Sequence, residues 1–220
     1  MLTKYGRDVI ITTAIIIIIV VVAASFIDVA PVRWGIWLIA GLFAAFTLYF
    51  FRDPERSVPP EANGNANVVV SPGDGKVVQI VETEERQFFG GKVTQVSIFL
   101  SPLNVHVNRI PLSGTVTFFR YIKGDYIVAF HEKASEKNER TEIGIENGST
   151  KVLFKQIAGY VARRIVCPIK EGDAVTIGER CGMIKFGSRV DVLFPPDSEI
   201  RVKIGDVVCG GETIVGVVRS

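Results

Sequence analysis

Two long uncharged runs stand at the start of the chain, and they constrain its fold more than any other feature. Val9 to Ile27 is 19 residues without a charge and contains Ile15-Ile16-Ile17-Ile18-Ile19-Val20-Val21-Val22; Trp34 to Phe51 is the second such run. Each approaches the ~20 residues that a helix needs to cross the hydrocarbon core of a bilayer. The link Asp28-Val29-Ala30-Pro31-Val32-Arg33 is short and carries a proline, which a helix interior does not tolerate. The pair therefore reads as a transmembrane helical hairpin with both ends on one side. A cleaved signal peptide would leave the second run unexplained. Lys4, Arg7, Arg52 and Arg56 flank the outer ends against Arg33 alone in the loop. The positive-inside tendency then puts both termini, and everything after Phe51, on the cytoplasmic side of the cell (inner or plasma) membrane. Trp34, Trp37 and Tyr49 suit the interface, and Trp37 equally suits a place between the helices.

This end explains why hydrophobic content reaches 48% and mean hydropathy +0.32. Residues 1–52 read as a membrane anchor and the proline-rich, polar residues 53–67 as a linker. From Val68 to the C-terminus short β-rich runs alternate with glycine and proline: Lys76–Val81, Val93–Leu100, Gly114–Tyr121, Glu142–Ile145, Lys151–Ile157 and the last strands to Val218. Only Ala158–Ile165 hints at a helical or mixed segment. The fold class expected is mainly β (α+β), a compact β-rich catalytic domain over 68–220 behind the membrane hairpin. Gly172-Asp173-Ala174-Val175-Thr176-Ile177-Gly178-Glu179 recurs 33 residues later as Gly205-Asp206-Val207-Val208-Cys209-Gly210-Gly211-Glu212, an echo of the half-motifs of barrel-sandwich folds. The same echo supports a rival reading, a membrane-tethered barrel-sandwich module that binds a partner or carries a cofactor. No Met-Lys or Asp-Lys hairpin tip of the carrier type is evident.

A net charge of +2 gives no case for nucleic acid as a partner. Cys167, Cys181 and Cys209 are odd in number and lack CxxC spacing, which fits reduced, buried thiols. With His106 and His131 as the only histidines and no Cys/His cluster, no metal site is expected.

Three short stretches carry possible chemistry. In Met183-Ile184-Lys185-Phe186-Gly187-Ser188-Arg189-Val190-Asp191-Val192-Leu193-Phe194-Pro195, a Gly-Ser pair interrupts two strand-like runs. A hydroxyl next to a glycine carbonyl can attack it, turn the amide into an ester, eliminate to dehydroalanine and leave a pyruvoyl group. Read blandly, Gly-Ser between strands is a hairpin turn. Ser71-Pro72-Gly73-Asp74-Gly75-Lys76 sets a carboxylate in a tight turn, where Asp is also an ordinary turn former. Ser101-Pro102-Leu103-Asn104-Val105-His106-Val107-Asn108-Arg109-Ile110-Pro111 carries a histidine, a residue more often structural than catalytic.

In this order and spacing the stretches resemble the phosphatidylserine decarboxylase proenzyme family, in its short, membrane-anchored type. The likeness runs from about Phe50 to the C-terminus. It also rests on Phe51-Arg52-Asp53-Pro54-Glu55-Arg56, Lys133-Ala134-Ser135-Glu136 with Asn138-Glu139-Arg140, and Gln156-Ile157-Ala158-Gly159 with Ala162-Arg163-Arg164-Ile165. The resemblance implies cleavage between Gly187 and Ser188, Ser188 becoming the pyruvoyl cofactor at the head of a small chain. It implies an Asp–His–Ser arrangement onto which Asp74, His106 and Ser188 map: Asp74 would fix the imidazole tautomer and His106 would take the hydroxyl proton. Longer members place a second histidine where this chain has Arg109, so either His106 serves both cleavage and decarboxylation or His131 contributes; the reading favours His106. The implied reaction converts phosphatidylserine to phosphatidylethanolamine and CO2 through a Schiff base on the pyruvoyl group. Archaetidylserine, an ether lipid, is the alternative substrate of the same mechanism. Arg109, Arg163, Arg164 and Arg189 are candidates for the lipid phosphate, and large and small chains of one precursor, dimerised, are implied as the assembly. A diacyl substrate gives the membrane anchor a purpose, and Phe88-Phe89-Gly90-Gly91 suggests a loop tip that dips into the interface.

Overall fold

In the computed structural model the described residues are 1–124, 138–148, 150–159, 164–185 and 188–219. They form two units, Met1–Pro54 and Glu55–Ser220. The first is a helical hairpin, α1 (Arg7–Ser25) and α2 (Ala30–Phe50). Both helices are long and apolar enough to cross a membrane. α2 begins at Ala30 because Pro31 falls in its first turn, where no N–H is needed and the fixed φ suits a helix. Trp37 Nε1 donates to the Val21 carbonyl at 3.2 Å, so this indole packs between the helices. The ends are tied together: Thr3 N–H donates to Phe51 O at 3.0 Å and Asp53 N–H to Met1 O at 2.7 Å. Both ends of the hairpin therefore lie on one side.

The second unit is mainly β. In chain order its strands are β1 (Val68–Val70), β2 (Gly75–Glu85), β3 (Gly91–Leu100), β4 (Val107–Arg109), β5 (Gly114–Ile122), β6 (Arg140–Asn147), β7 (Thr150–Ala158), β8 (Ile165–Val166), β9 (Ala174–Val175), β10 (Arg180–Ile184), β11 (Ser188–Phe194), β12 (Glu199–Ile200), β13 (Val207–Val208) and β14 (Ile214–Val217). The large sheet runs β13-β2-β3-β11-β7-β6-β5-β9, and two small sheets run β1-β14-β12 and β4-β10-β8. Ala158 closes β7 and Ile165 opens β8; residues 160–163 of the segment read as helical or mixed lie outside the described residues.

These orders are mirror lists. Exchanging β1, β2, β3, β11, β12, β13 and β14 for β4, β5, β6, β7, β8, β9 and β10 maps each sheet onto itself or its twin. Register agrees: Val77 and Val116 both precede a bulge, opposite Ile98 and Ile145. Gly75 pairs Val208 as Gly114 pairs Val175. Val70 N–H donates to Pro111 O at 3.0 Å and Arg109 N–H to Pro72 O at 2.9 Å, a reciprocal pair. The domain is thus an internal duplicate in which the whole second repeat, β4 to β10, is inserted between β3 and β11 of the first. The 33-residue echo is one part of it; the other, Asn65…Pro72…Gly75 against Asn104…Pro111…Gly114, has a spacing of 39.

Alternation places Val190, Val192 and Phe194 of β11 in the main core with Val69, Val96, Ile98, Ile143, Val152 and Phe154. The other face of the sheet buries charge. Arg189 Nε donates to Asp191 at 2.6 Å and its Nη2 to Ser97 and Gln79. Glu142 accepts from Arg120 at 2.8 Å and Arg140 at 3.0 Å, with Lys155 at 3.5 Å. Phe88 and Phe89 are half-buried against Val93, Leu153 and Leu193, under a turn whose three N–H groups donate to Glu85. They are packing residues of this face rather than a free loop tip. Cys181 is fully buried and Cys167 is pushed up to about 11 by burial, so both thiols are protonated near neutrality.

Burial alone would push the Glu142 carboxyl up, but Lys155, Arg140 and Arg120 hold it below its ordinary value. A depressed carboxylate stabilises the fold above its unfolded pKa, and that contribution is lost as pH falls through the folded one. Glu142→Gln should therefore cost about 3 kcal/mol at neutral pH and flatten the acid limb of stability, as read by denaturant unfolding in mild detergent across pH.

Candidate active site

Ser188 opens β11 at the middle of the large sheet, opposite Leu100 on one side and Ala158 on the other. It is fully buried, and its Oγ has no hydrogen-bond partner among the described residues. A buried hydroxyl without a partner is costly, so such an atom asks for a function. Gly187, like His131 and Arg163, lies outside the described residues.

His106 ends the loop before β4 and is fully buried. Asn104 shapes this loop: its Oδ1 accepts from Ser101 N–H at 2.8 Å, and its own N–H donates to Ser101 O at 2.9 Å. The Asn104 carbonyl stands 2.9 Å from His106 Nδ1. A carbonyl accepts only, so the proton of the neutral ring sits on Nδ1 and the lone pair on Nε2. The tautomer that Asp74 was expected to set is thus set by a backbone oxygen.

The duplication gives His106 and Ser188 a matched pair of positions. Asn67 and His106 hold matched positions, their carbonyls accepting from Val218 N–H at 2.9 Å and Ile184 N–H at 3.4 Å. Thr150 and Ser188 also match, opening β7 opposite Asn147 and β11 opposite Leu100. Thr150 Oγ1 donates to Asn67 Oδ1 at 2.5 Å. Ser188 and His106 thus occupy, in the other half, the positions that Thr150 and Asn67 occupy in this one.

Asp74 has a twin as well. Gly210 N–H donates to Asp74 Oδ1 at 2.8 Å, as Ile177 N–H donates to Ser113 Oγ at 2.8 Å. One carboxylate oxygen therefore does the turn-capping work of a serine. The other accepts from Arg56 Nη2 at 2.7 Å, whose Nη1 reaches Glu212 at 2.8 Å. Burial of Arg56 is outweighed by Asp74 and Glu212, which raise its pKa. The turn is pressed onto β3 of its own repeat: a Cβ on Gly75 would lie 2.3 Å from the Phe99 carbonyl, so only glycine fits.

The arginines separate. Arg189 is 1% exposed and holds Asp191, Ser97 and Gln79. Arg109 is buried, its Nη1 donating to Gly178 O at 2.8 Å. Both guanidinium groups are buried in bonds that serve the fold. Arg164 is exposed, and its carbonyl accepts from Lys185 N–H at 3.2 Å beside the segment that leads to Ser188.

Sequence reasoning missed the Arg56–Asp74 pair and a buried polar thread. Thr141 Oγ1 donates to Gln156 Oε1 at 2.7 Å, Gln156 Nε2 to Asn108 Oδ1 at 2.8 Å, and Asn108 Nδ2 to Pro72 O at 3.4 Å. The 39-residue spacing was the signal that would have exposed the twin positions; nothing local marks the thread, whose members lie far apart in the chain.

The family model for phosphatidylserine decarboxylase matches residues 43–216. A phosphatidylserine decarboxylase proenzyme of Chlorobium chlorochromatii is 49% identical over 98% of this chain and 99% of its own length. Proenzymes of the same name from Chlorobium phaeobacteroides and Salinibacter ruber are 52% and 53% identical, each over 78% of this chain and 78% and 75% of their own lengths.

Thr150→Val removes the hydroxyl of the twin pair and should lower stability by about 1 kcal/mol in denaturant unfolding, with Thr150→Ser near the parent value.

Proposed function

The chain belongs to the phosphatidylserine decarboxylase family, and from that premise we propose that it cuts itself between Gly187 and Ser188 and then decarboxylates phosphatidylserine in phospholipid synthesis. The observation that carries this reading is the Thr150–Asn67 hydrogen bond, because Ser188 and His106 hold the twin positions of that pair. His106 Nε2 takes the proton from Ser188 Oγ, which attacks the Gly187 carbonyl carbon; the Ser188 nitrogen leaves with that proton and an ester replaces the amide. Loss of the Ser188 α-proton expels the Gly187 carboxylate and leaves dehydroalanine; water then displaces ammonia, and the residue becomes a pyruvoyl group. Asp74, paired with Arg56, anchors the turn that packs on β4, the strand after His106.

A pyruvoyl group fits this position: the residue is sealed from solvent, its Oγ is uncommitted among the described residues, and its neighbour across β7 is the small Ala158. Once formed, it supplies a ketone that takes up the amine of the serine headgroup and accepts the electron pair released with CO2. His106 then returns a proton to the substrate carbon that has lost CO2. Arg164, exposed and bonded through its carbonyl to the Lys185 N–H, is the proposed partner of the lipid phosphate. The helical hairpin holds the enzyme on the inner membrane with the β unit on its cytoplasmic side, where its lipid substrate is concentrated. Large and small chains of one precursor, paired as a homodimer, complete the proposed assembly.

Purified protein should run as two chains, the smaller being residues 188–220 with a blocked N-terminus by mass spectrometry. Ser188→Ala and His106→Ala should each stay one chain without activity on phosphatidylserine vesicles. Normal cutting of His106→Ala would transfer the base to His131. Arg164→Ala should cut normally and raise KM about tenfold on those vesicles, the loss of one charge-assisted contact.

A further inference from the structure

The duplicated repeat provides an internal control for each position near Ser188. Asn108 of β4 matches Val69 of β1, and Gln156 of β7 matches Phe194 of β11. The match is physical: a Cβ on Gly182 would meet Gln156 Nε2 at 3.3 Å, and one on its twin Gly216 would meet Phe194 at 3.1 Å. Gly73 matches Leu112 in the same way, and a Cβ there would lie 3.2 Å from Asn108 Nδ2. Val69, Phe194 and Leu112 are all members of the main apolar core. On the side that carries His106 and Ser188, two amides and a glycine stand in their place, with Asn108 and Gln156 both fully buried. The twin site, built from both repeats, demonstrates that an apolar filling is compatible with the fold. Buried amides at the same place cost stability unless they are satisfied, and satisfied amides hold a fixed geometry.

We infer that Asn108 and Gln156 are positioning residues for self-cleavage, an assignment that rests on the His106–Ser188 reading above. Thr141 Oγ1 gives its proton to Gln156 Oε1, which forces Gln156 Nε2 toward Asn108 Oδ1 and Asn108 Nδ2 toward Pro72 O. The three bonds run one way, so no amide can flip without breaking two of them. They join β7, where Ala158 faces Ser188, to β4, which follows His106 directly, and to the turn of Asp74. An apolar contact would tolerate sliding between these strands; a directional chain of hydrogen bonds does not. The thread therefore sets how closely the imidazole approaches the hydroxyl, and touches neither.

The test replaces both amides at once, so that neither is left without its partner: Asn108→Leu with Gln156→Met. This variant should melt within a few degrees of the parent but cut at least tenfold more slowly in pulse-chase electrophoresis. The exchanged pair, Asn108→Gln with Gln156→Asn, keeps an amide–amide bond and should recover at least a third of the parental cutting rate. Thr141→Val, which leaves both amides but removes the group that orients them, should also slow cutting, and it serves if the double variant fails to fold. Parental cutting rates in both the apolar pair and Thr141→Val would overturn the assignment. So would cutting that simply follows melting temperature across the series with no recovery in the exchanged pair. Ser188→Ala separates the two claims: if it is still cut, the underlying reading fails whatever the thread does.

Discussion

A strand hydrogen-bonded along both edges governs the architecture. β11 lies between β3 and β7 in the large sheet, in continuous register from Ser188 to Phe194 with β3. The proposed cut falls immediately before it. The segment that follows supplies β12 and β14 to the small sheet with β1, and β13 to the edge of the large sheet beside β2. Residues 188–219 are thus woven into three places in the domain. Cutting the backbone ahead of β11 removes one covalent link and leaves these ladders and the apolar face of Val190, Val192 and Phe194 intact. A proenzyme needs this property, because its new terminus has to stay in the site where it was made.

The insertion of one repeat into a hairpin of the other explains where that terminus arises. In the second repeat β6 and β7 are joined by the short turn between Asn147 and Thr150; the corresponding strands of the first repeat, β3 and β11, are separated by the whole of the second. Ser188 therefore occupies the position of a hairpin's first returning residue, with its partner Leu100 far away in sequence. The second half keeps an ordinary version of the site, with Thr150 donating to Asn67. In the other half a serine and a histidine stand where this half has the threonine and the asparagine. The imidazole is readied by a backbone carbonyl, and the aspartate is committed to a turn and an arginine.

Polar burial on one side of the duplicate and apolar burial on the other shows how the same fold divides its work. Val69, Leu112 and Phe194 fill their side as a core does. Asn108, Gly73 and Gln156 fill the other with directed bonds, and the far face of the sheet adds Glu142 and Asp191, each held by arginine. Buried ion pairs contribute little net stability because desolvation offsets attraction, but once present they demand one register.

Some of this was legible in the residues themselves. The helical hairpin was, because bilayer thickness sets a length that 19 uncharged residues meet directly, and both helices are long and apolar enough to cross a membrane. So was the β-rich class, from alternation and glycine punctuation. The 33-residue echo revealed half of the duplication, and the 39-residue half was present but masked by Val69 against Asn108 and Gly73 against Leu112. Only the tertiary structure separated the arginines, since Arg109 and Arg189 are buried and Arg164 is exposed, a difference of surroundings and not of type. It alone joined Thr141, Gln156, Asn108 and Pro72, residues up to 84 apart in the chain, because side-chain hydrogen bonds across strands depend on register and leave no periodic trace.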